Sequence, residues 1–275
     1  MAQWRWQKRW KRIIDTLEVV PDSTAAQHLL DRLAAPESAT VLGFVNAHAM
    51  NLIVRDGAYC QALSAADVLL RDGSGMAILY RRLGLEPGLN MNGTDFIPSL
   101  MEVYRGRRVA FWGTQQPYLN QAVQRSEALF GVVPVSVHDG FASIDTYLQL
   151  AREQQPELIL LGMGMPKQEA VAARLAAVGG PCLIVCGGAI LDFLGGKVSR
   201  APQWLRHLGG RVGLPAVTRA ETLVHALCGG QSIVLAAHPA VPQTSQFGQG
   251  HPMNRPKPAP MVGGCYSESS GLGAA

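Results

Sequence analysis

Six short apolar runs, rich in valine, isoleucine and leucine, recur along the chain, and each ends near a glycine, an asparagine or an aspartate. Stretches with the spacing of amphipathic helices lie between them. Strands that are buried on both faces read as continuous apolar runs, so the pattern predicts an α/β fold: a Rossmann-like, mostly parallel sheet of about six strands with helices on both faces. The predicted strands are Thr40–Val45, Asp67–Leu70, Arg108–Trp112, Val132–Val137, Leu158–Leu161 and Cys182–Val185.

The starts of three helices can be read from residues that favour helix N-termini. Thr94 or Asp95 is predicted to cap one helix, and Ser143 is predicted to cap another. A third helix is predicted over Pro166–Val178, because the missing N–H of proline costs nothing in the first helical position.

The chain is long enough for one large domain. Its 275 residues are 48% hydrophobic, and six strands fit one domain better than two. From about residue 238 the apolar pattern gives way to proline, glycine, serine and glutamine, which predicts a disordered tail. We therefore divide the chain into a basic, tryptophan-rich leader (1–14), a main domain (15–208), a C-terminal helical appendage (209–237) and the tail (238–275).

The formal net charge of +4 is concentrated at the N-terminus. Residues 1–12 contain five lysines and arginines and no acid, so the rest of the chain sums to −1. This argues against a nucleic-acid-binding protein, because phosphate recognition needs cations gathered along the fold. Three of the five tryptophans lie in the same segment, and indoles mixed with cations suit a membrane surface. The leader is either a membrane anchor, with Trp6, Trp10, Ile13 and Ile14 near one helical face, or a frayed basic segment.

The sequence contains no transmembrane run and no secretory signal. Its apolar runs are far shorter than the about 20 residues of a membrane-spanning helix, and no apolar region follows the basic start. We therefore expect a cytoplasmic protein.

The five cysteines form no Cys-x-x-Cys pair and no cluster with the seven histidines, so we expect reduced thiols and no metal site. Cys182 and Cys186 are predicted to lie in a buried strand.

Polar residues and glycines follow most of the predicted strands. In an open parallel sheet, ligands bind at the carboxyl ends of the strands, so these residues form the candidate site. Asp72, beside Gly73 and Gly75, is the best candidate for a general base, with a helix cap or turn as its alternative role. Asn46 offers a donor and an acceptor to a sugar, or it is only a turn residue. His48 has no acid partner at a readable spacing, which argues against a catalytic role.

The segment 162–169 leads from a predicted strand directly into a helix. Its glycines allow a ligand close to backbone N–H groups, the helix N-terminus favours an anion, and Lys167 adds a cation, so a diphosphate fits here. An ordinary strand-to-helix turn is the alternative. The segment lacks the third glycine of the dinucleotide fingerprint, and no ribose-binding acid follows at the expected distance, which disfavours a nicotinamide oxidoreductase.

Eight motifs, in this order, together resemble the WecG/TagA/CpsF glycosyltransferases over residues from about 15 to 208. The motifs are Asn46, Asp72–Gly75, Asn92–Asp95, Gly113–Thr114, His138–Phe141, Gly162–Glu169, Gly187–Gly196 and Arg200–Trp204. The resemblance implies an inverting enzyme that transfers a sugar from a UDP-sugar to a polyprenyl-diphosphate-linked saccharide at the cytoplasmic membrane surface, without a metal or other cofactor. It also implies that residues 206–236 are an alternative to the leader for membrane docking.

The resemblance assigns roles to individual residues. Asp72 matches the family's proposed base, and Asn46 and Gln168 match polar positions at its active site. Within the set of expected substrate-binding residues, Gly164, Lys167 and Gly188 would hold the nucleotide. The full set is Gly73, Asn92, Thr94, Asp95, Gly113, Thr114, Asp139, Gly140, Gly164, Lys167, Gly187, Gly188, Asp192 and Arg200.

Two departures from the family pattern bear on the donor sugar. Phe44 stands where the family often has threonine, and Asn90 stands where it often has arginine. Both weaken the expectation of UDP-N-acetylmannosamine as the donor. The sequence of residues 90–96 resembles that of the exopolysaccharide branch, which includes xanthan-type glucuronosyltransferases. This resemblance implies UDP-glucuronate as a candidate donor. The alternative function is a catalytically silent nucleotide-sugar-binding subunit that recruits other polysaccharide enzymes to the membrane. Homo-oligomerisation is left open.

Overall fold

The computed structural model describes residues 2–198, which contain one sheet of six parallel strands in the order β2-β1-β6-β5-β3-β4. The α/β prediction and the parallel sheet are confirmed. The strands are β1 (Ala39–Val45), β2 (Val68–Arg71), β3 (Arg108–Gly113), β4 (Val133–His138), β5 (Leu158–Gly162) and β6 (Cys182–Cys186). The helices are α1 (Ala2–Thr16), α2 (Ser23–Ala34), α3 (Ala47–Arg55), α4 (Gly57–Ser64), α5 (Gly73–Arg82), α6 (Gly93–Val103), α7 (Tyr118–Phe130), α8 (Ile144–Gln154), α9 (Lys167–Ala176) and α10 (Ile190–Leu194).

Both faces of the sheet are covered by helices, so every central strand is buried. On one face, Leu42 of β1 packs in a cluster with Leu33 of α2 and Leu100 of α6. On the other face, Trp112 of β3 packs in a cluster with Val171 of α9. This double burial explains why the strands read as unbroken apolar runs in the sequence.

The cap of α6 differs from the prediction. Asn92, rather than Thr94 or Asp95, is the N-cap residue, and its Oδ1 accepts hydrogen bonds from the Asp95 backbone N–H (3.0 Å) and the Thr94 hydroxyl (2.7 Å). Asn92 has the extended backbone that a cap requires, whereas the other two residues already lie in the first helical turn.

The other two predicted helix starts agree more closely. Ser143 caps α8, as predicted, and its hydroxyl accepts a hydrogen bond from the Thr146 N–H at 3.2 Å. The helix α9 begins at Lys167, one residue later than predicted, with Pro166 at the cap position. Cys182 and Cys186 lie in the buried strand β6 as reduced thiols.

The N-terminal segment is a helix that packs on the domain, so the frayed interpretation is wrong. Ile13 is fully buried in a cluster with residues of α3 and α4. Trp10 Nε1 donates to the Met50 carbonyl at 3.0 Å, and Arg9 Nη1 donates to the Ile53 carbonyl at 2.9 Å. The apolar face that was predicted to contact lipid is therefore largely turned towards the protein, while Lys8 remains exposed.

Several predictions concern residues outside 2–198. The C-terminal appendage, the tail and Arg200 lie beyond the described residues. Within the described part of the chain, no helix has the length and apolar character needed to cross a bilayer.

Candidate active site

A cavity of about 550 Å³ opens at the carboxyl ends of the strands, as predicted. Residues that follow all six strands line it, because parallel strands bring their carboxyl ends to one edge of the sheet. These residues are Asn46 after β1, Asp72 after β2, Thr114 after β3, Gly140 after β4, Met163 after β5 and Gly187 after β6.

Most of the predicted site residues line this cavity. They are Asn46, Asp72, Asn92, Thr94, Thr114, Gly140, Gly164, Gln168, Gly187, Gly188 and Asp192. Five others are not among the lining residues: Gly73, Asp95, Gly113, Asp139 and Lys167. His48, for which the sequence argued against a catalytic role, also lies in the cavity wall. Other lining residues, such as Met165 and Lys197, were not singled out by the motifs.

Asp72 occupies the N-cap position of α5 without capping it, so the helix-cap interpretation is wrong. Asn90 Oδ1 instead accepts a hydrogen bond from the Gly73 N–H at 2.7 Å. The carboxylate is half-buried in the cavity wall, and this burial raises its pKa. A hydrogen bond from the Asn46 side chain and the charge of Arg71 oppose the rise. The Asp72 carboxylate therefore faces the cavity, held by Asn46 and not used to cap α5.

Asn46 is a helix cap and not a simple turn residue, and it lines the cavity. It caps α3, with Oδ1 accepting from the Ala49 N–H at 3.0 Å. Since Oδ1 is used in this way, the Asn46 amide nitrogen is the group that can donate to Asp72. The side chain thus ties the end of β1 to the candidate base.

Gln168 is 2% exposed and connects two elements of the site. Its Oε1 accepts from the Gly188 N–H at 3.1 Å, and its Nε2 donates to Glu169 Oε1 at 2.9 Å. Gly188 was predicted to help hold the nucleotide, and its N–H is already engaged by Gln168. Glu169 is also buried, its Oε2 has no partner among the described residues, and burial raises its pKa. Glu169 ends the motif 162–169, but no pattern in the sequence indicated that its side chain is buried.

Lys167 does not face the cavity, which corrects its predicted role. Its Nζ donates to the carbonyls of Gly140 and Ala142, both at 2.8 Å, and so fixes the loop after β4. Among residues 2–198, Lys197 places a cation in the cavity wall instead, with Nζ 3.1 Å from Asp192 Oδ1. The Thr114 hydroxyl donates to the same oxygen. Lys197 directly follows the glycine motif that ends at 196, and this position could have indicated from the sequence that Lys197 is a site residue.

The packing of the sheet by itself requires a glycine at position 113. Gly113 has a φ of +154°, and a Cβ at this position would lie 2.4 Å from the Gly162 backbone. Gly164 is different: its φ is +78°, and the space where a Cβ would point is open. Gly164 therefore remains a candidate for close contact with a ligand.

Arg71, at the end of β2, is a buried arginine that the sequence did not single out. Its guanidinium donates to three backbone carbonyls, those of Pro87 (2.8 Å), Gly73 (3.0 Å) and Gly88 (3.1 Å). Burial lowers the pKa of this group. These bonds hold the segment 87–90 against the turn that carries Asp72.

A model of the glycosyl transferase WecG/TagA/CpsF family matches residues 14–211. Two similar proteins are each named N-acetylglucosaminyldiphosphoundecaprenol N-acetyl-beta-D-mannosaminyltransferase. The one from Bacillus subtilis is 22% identical over 187 residues, which cover 66% of this chain and 71% of the relative. The one from Bacillus spizizenii is 24% identical over 155 residues, which cover 53% of this chain and 58% of the relative. Because the family model matches well over half of its length, this chain belongs to the WecG/TagA/CpsF family of glycosyltransferases.

Proposed function

We propose that this chain transfers a sugar, with inversion, from a UDP-sugar to a hydroxyl group of a polyprenyl-diphosphate-linked saccharide. The observation that carries the proposal is the Asp72 carboxylate, which lines the cavity, caps no helix and has a raised pKa. The names of both relatives support the acceptor class, because they describe transfer to a diphosphoundecaprenol-linked sugar.

In the proposed reaction, Asp72 accepts the proton of the acceptor hydroxyl while the hydroxyl oxygen forms a bond to the anomeric carbon. The bond between that carbon and the UDP oxygen breaks, and its electron pair leaves with the diphosphate. Attack on the face opposite the leaving group inverts the anomeric centre. A carboxylate whose pKa is raised towards neutral pH is a stronger base than an ordinary aspartate. The amide of Asn46 orients this carboxylate.

Negative charge develops on the departing diphosphate and needs fixed donors nearby. Lys197 and Gly164 line the same cavity as Asp72, and we assign them to the diphosphate. Asp192 Oδ1 is held by Thr114 and Lys197, so its other oxygen is assigned to a ribose hydroxyl. Phe141, which is 73% exposed at the cavity wall, offers an aromatic surface to the uracil ring.

The proposal includes two candidate donors, UDP-N-acetylmannosamine and UDP-glucuronate. The relatives favour N-acetylmannosamine. The departures at Phe44 and Asn90 weaken that choice, and the sequence of residues 90–96 favours glucuronate and a role in exopolysaccharide or capsule synthesis. Phe44 lines the cavity and lies against Gly93 at the start of α6, so a bulky apolar group replaces a hydroxyl in the wall of the site.

The direct test uses purified full-length protein, radiolabelled UDP-N-acetylmannosamine, UDP-glucuronate and UDP-glucose, and synthetic prenyl-diphosphate-linked sugars as acceptors. Label should move from one donor to the lipid fraction, and the new bond should have the inverted configuration. Absence of transfer with all pairs would contradict the proposal. If UDP still bound, that result would favour a catalytically silent binding subunit, the second candidate that Phe44 and Asn90 suggest.

A lipid-linked acceptor also implies a place of action. We assign the protein to the inner face of the cytoplasmic membrane as a peripheral enzyme. The exposed cations Lys8 and Arg12 of α1 support this assignment, because anionic lipids attract clustered basic residues, whereas the neighbouring Lys11 is paired with Asp15.

A further inference from the structure

An exposed apolar surface lies where α5 ends and the chain returns towards the site. It consists of Leu83, Leu85 and Leu89, which are 51%, 43% and 39% exposed, together with Val19, which is 40% exposed. We call these four residues the leucine surface. Large apolar side chains gathered in this way mark interaction sites more often than singly scattered ones do.

Backbone contacts hold the leucine surface together. The Leu85 N–H donates to the Tyr80 carbonyl at 2.9 Å, and the Leu89 N–H donates to the Val20 carbonyl at 2.7 Å. Gly88 lies directly against Val19, because a Cβ at Gly88 would be 2.9 Å from the Val19 side chain. The segment 83–89 is thus fixed on the residues that follow α1.

The charges around the leucine surface are mainly positive. Arg81 and Arg82 are exposed and immediately precede it, and Glu86 is the acid within it. The nearby acids are engaged: Glu18 is paired with Arg32 and Asp15 with Lys11, each at 2.6 Å, and Asp22 caps α2. The hydroxyl of Tyr80 donates to the Ile14 carbonyl at 3.4 Å, so the basic helix α1 ends beside the same surface.

The leucine surface is also connected to the candidate base. Leu89 is followed by Asn90, whose side chain accepts from the Gly73 N–H beside Asp72. Arg71 binds the carbonyls of Pro87 and Gly88 and so fixes this connection. A prenyl-linked acceptor must keep its hydrocarbon chain in the bilayer while its sugar reaches Asp72, and an apolar, cation-flanked surface that is tied through Asn90 and Arg71 to the turn carrying Asp72 meets that need.

We propose that the leucine surface inserts into the acyl boundary of an anionic lipid bilayer, with Arg81, Arg82 and the exposed cations of α1 contacting the headgroups. The inference rests on the proposed function, since it places Asp72 within reach of a lipid-linked acceptor. It replaces the expectation that the tryptophan face of α1 is the apolar anchor, because that face is largely covered by α3.

The test is co-sedimentation of the full chain with vesicles of equal parts phosphatidylcholine and phosphatidylglycerol, and with vesicles of phosphatidylcholine alone. We expect Leu83→Ser/Leu85→Ser and Arg81→Glu/Arg82→Glu each to lower partitioning onto the anionic vesicles on the order of tenfold or more. Leu129→Ser is the matched apolar control, because Leu129 on α7 is 63% exposed and far from this segment in sequence. Arg174→Glu, on α9, is the charge control. Both controls should bind as the wild type does.

Outcomes in the other direction overturn the inference. Wild-type partitioning of both double variants would place the lipid contact elsewhere in the chain. A change in oligomeric state by the leucine variant, with vesicle binding intact, would make the surface a self-association site. Circular dichroism checks that each variant is folded, and the arginine pair tests the surface without altering apolar packing.

Transfer assays separate this inference from the proposed function. If both hold, Leu83→Ser/Leu85→Ser loses transfer to a vesicle-embedded long-chain acceptor but keeps transfer to a short, water-soluble prenyl acceptor. If the wild type transfers no sugar yet binds vesicles through the leucine surface, the proposed function fails and the docking surface stands. Equal transfer by variant and wild type to both acceptors would overturn the docking surface alone.

Discussion

Replacing Glu169 by glutamine should flatten the pH dependence of stability. The Glu169 carboxyl is 3% exposed, its Oε1 accepts from Gln168 Nε2 at 2.9 Å, and its Oε2 has no partner among residues 2–198. Burial is the main cause that raises its pKa above the ordinary value of 4.5, and the bond from Gln168 opposes the rise. Burying the charged form without a partner for Oε2 is costly, so the folded chain favours the protonated acid.

The sign and the size of the pH dependence of the free energy of unfolding follow from proton linkage. The folded chain keeps the Glu169 proton at pH values where the unfolded chain has lost it, so stability is fully present below about pH 4.5. Stability is then lost as pH rises to the folded pKa, at no more than about 1.4 kcal/mol per pH unit for one proton. Glutamine keeps the acceptor for Gln168 but carries no proton that titrates, so this slope disappears. Asp72 contributes a slope of the same sign, which remains in the variant.

Urea unfolding followed by tryptophan fluorescence, at half-unit pH steps from pH 4.5 upward, measures this slope. Glu153→Gln is the matched control, because Glu153 is exposed on α8 and should leave the slope unchanged. A Glu169→Gln chain with the same pH slope as the wild type would show that Glu169 is ionised in the folded state. That result would refute the reasoning from burial and the missing partner.

Three other substitutions test the site in different ways. Gly113→Ala should cost more than about 3 kcal/mol in urea unfolding, since its Cβ meets the Gly162 backbone; a loss below 1 kcal/mol would contradict this. Arg71→Met leaves three carbonyls without their donor and should cost about 3 kcal/mol and lower kcat, whereas wild-type kcat would deny its positioning role. Lys197→Met should weaken UDP binding about tenfold in calorimetry, and unchanged Kd would remove it from the diphosphate site.

The sheet could be predicted from the sequence because each strand is buried on both faces. Every predicted strand agrees with the observed one to within a residue or so, as in Thr40–Val45 against Ala39–Val45. The position of the site followed as well, since parallel strands bring Asn46 and Asp72 to the same edge of the sheet. Both the strand pattern and the site depend on the parallel sheet, whose ligand sites form at the carboxyl ends of its strands.

The partners of individual side chains could not be predicted, because they come from distant parts of the chain. Lys167 looked like a phosphate ligand, but the carbonyls that bind it belong to the loop after β4, 25 and 27 residues earlier in the sequence. Arg71 was not singled out, and two of its three carbonyl partners, Pro87 and Gly88, lie in a loop 16 and 17 residues later in the sequence. The amphipathic pattern of α1 was read correctly, but such a pattern does not tell whether protein or lipid covers the apolar face.

The central claim is that Asp72 is the base that activates the acceptor hydroxyl. The most direct test compares Asp72→Asn with the wild type in single-turnover transfer from the UDP-sugar to the lipid-linked acceptor, with UDP affinity measured on the same samples. Asp145→Asn, an exposed acid on α8, is the control. We predict that Asp72→Asn lowers the transfer rate by about 10²- to 10⁴-fold while the Kd for UDP stays unchanged. A variant that transfers sugar at the wild-type rate would contradict the account.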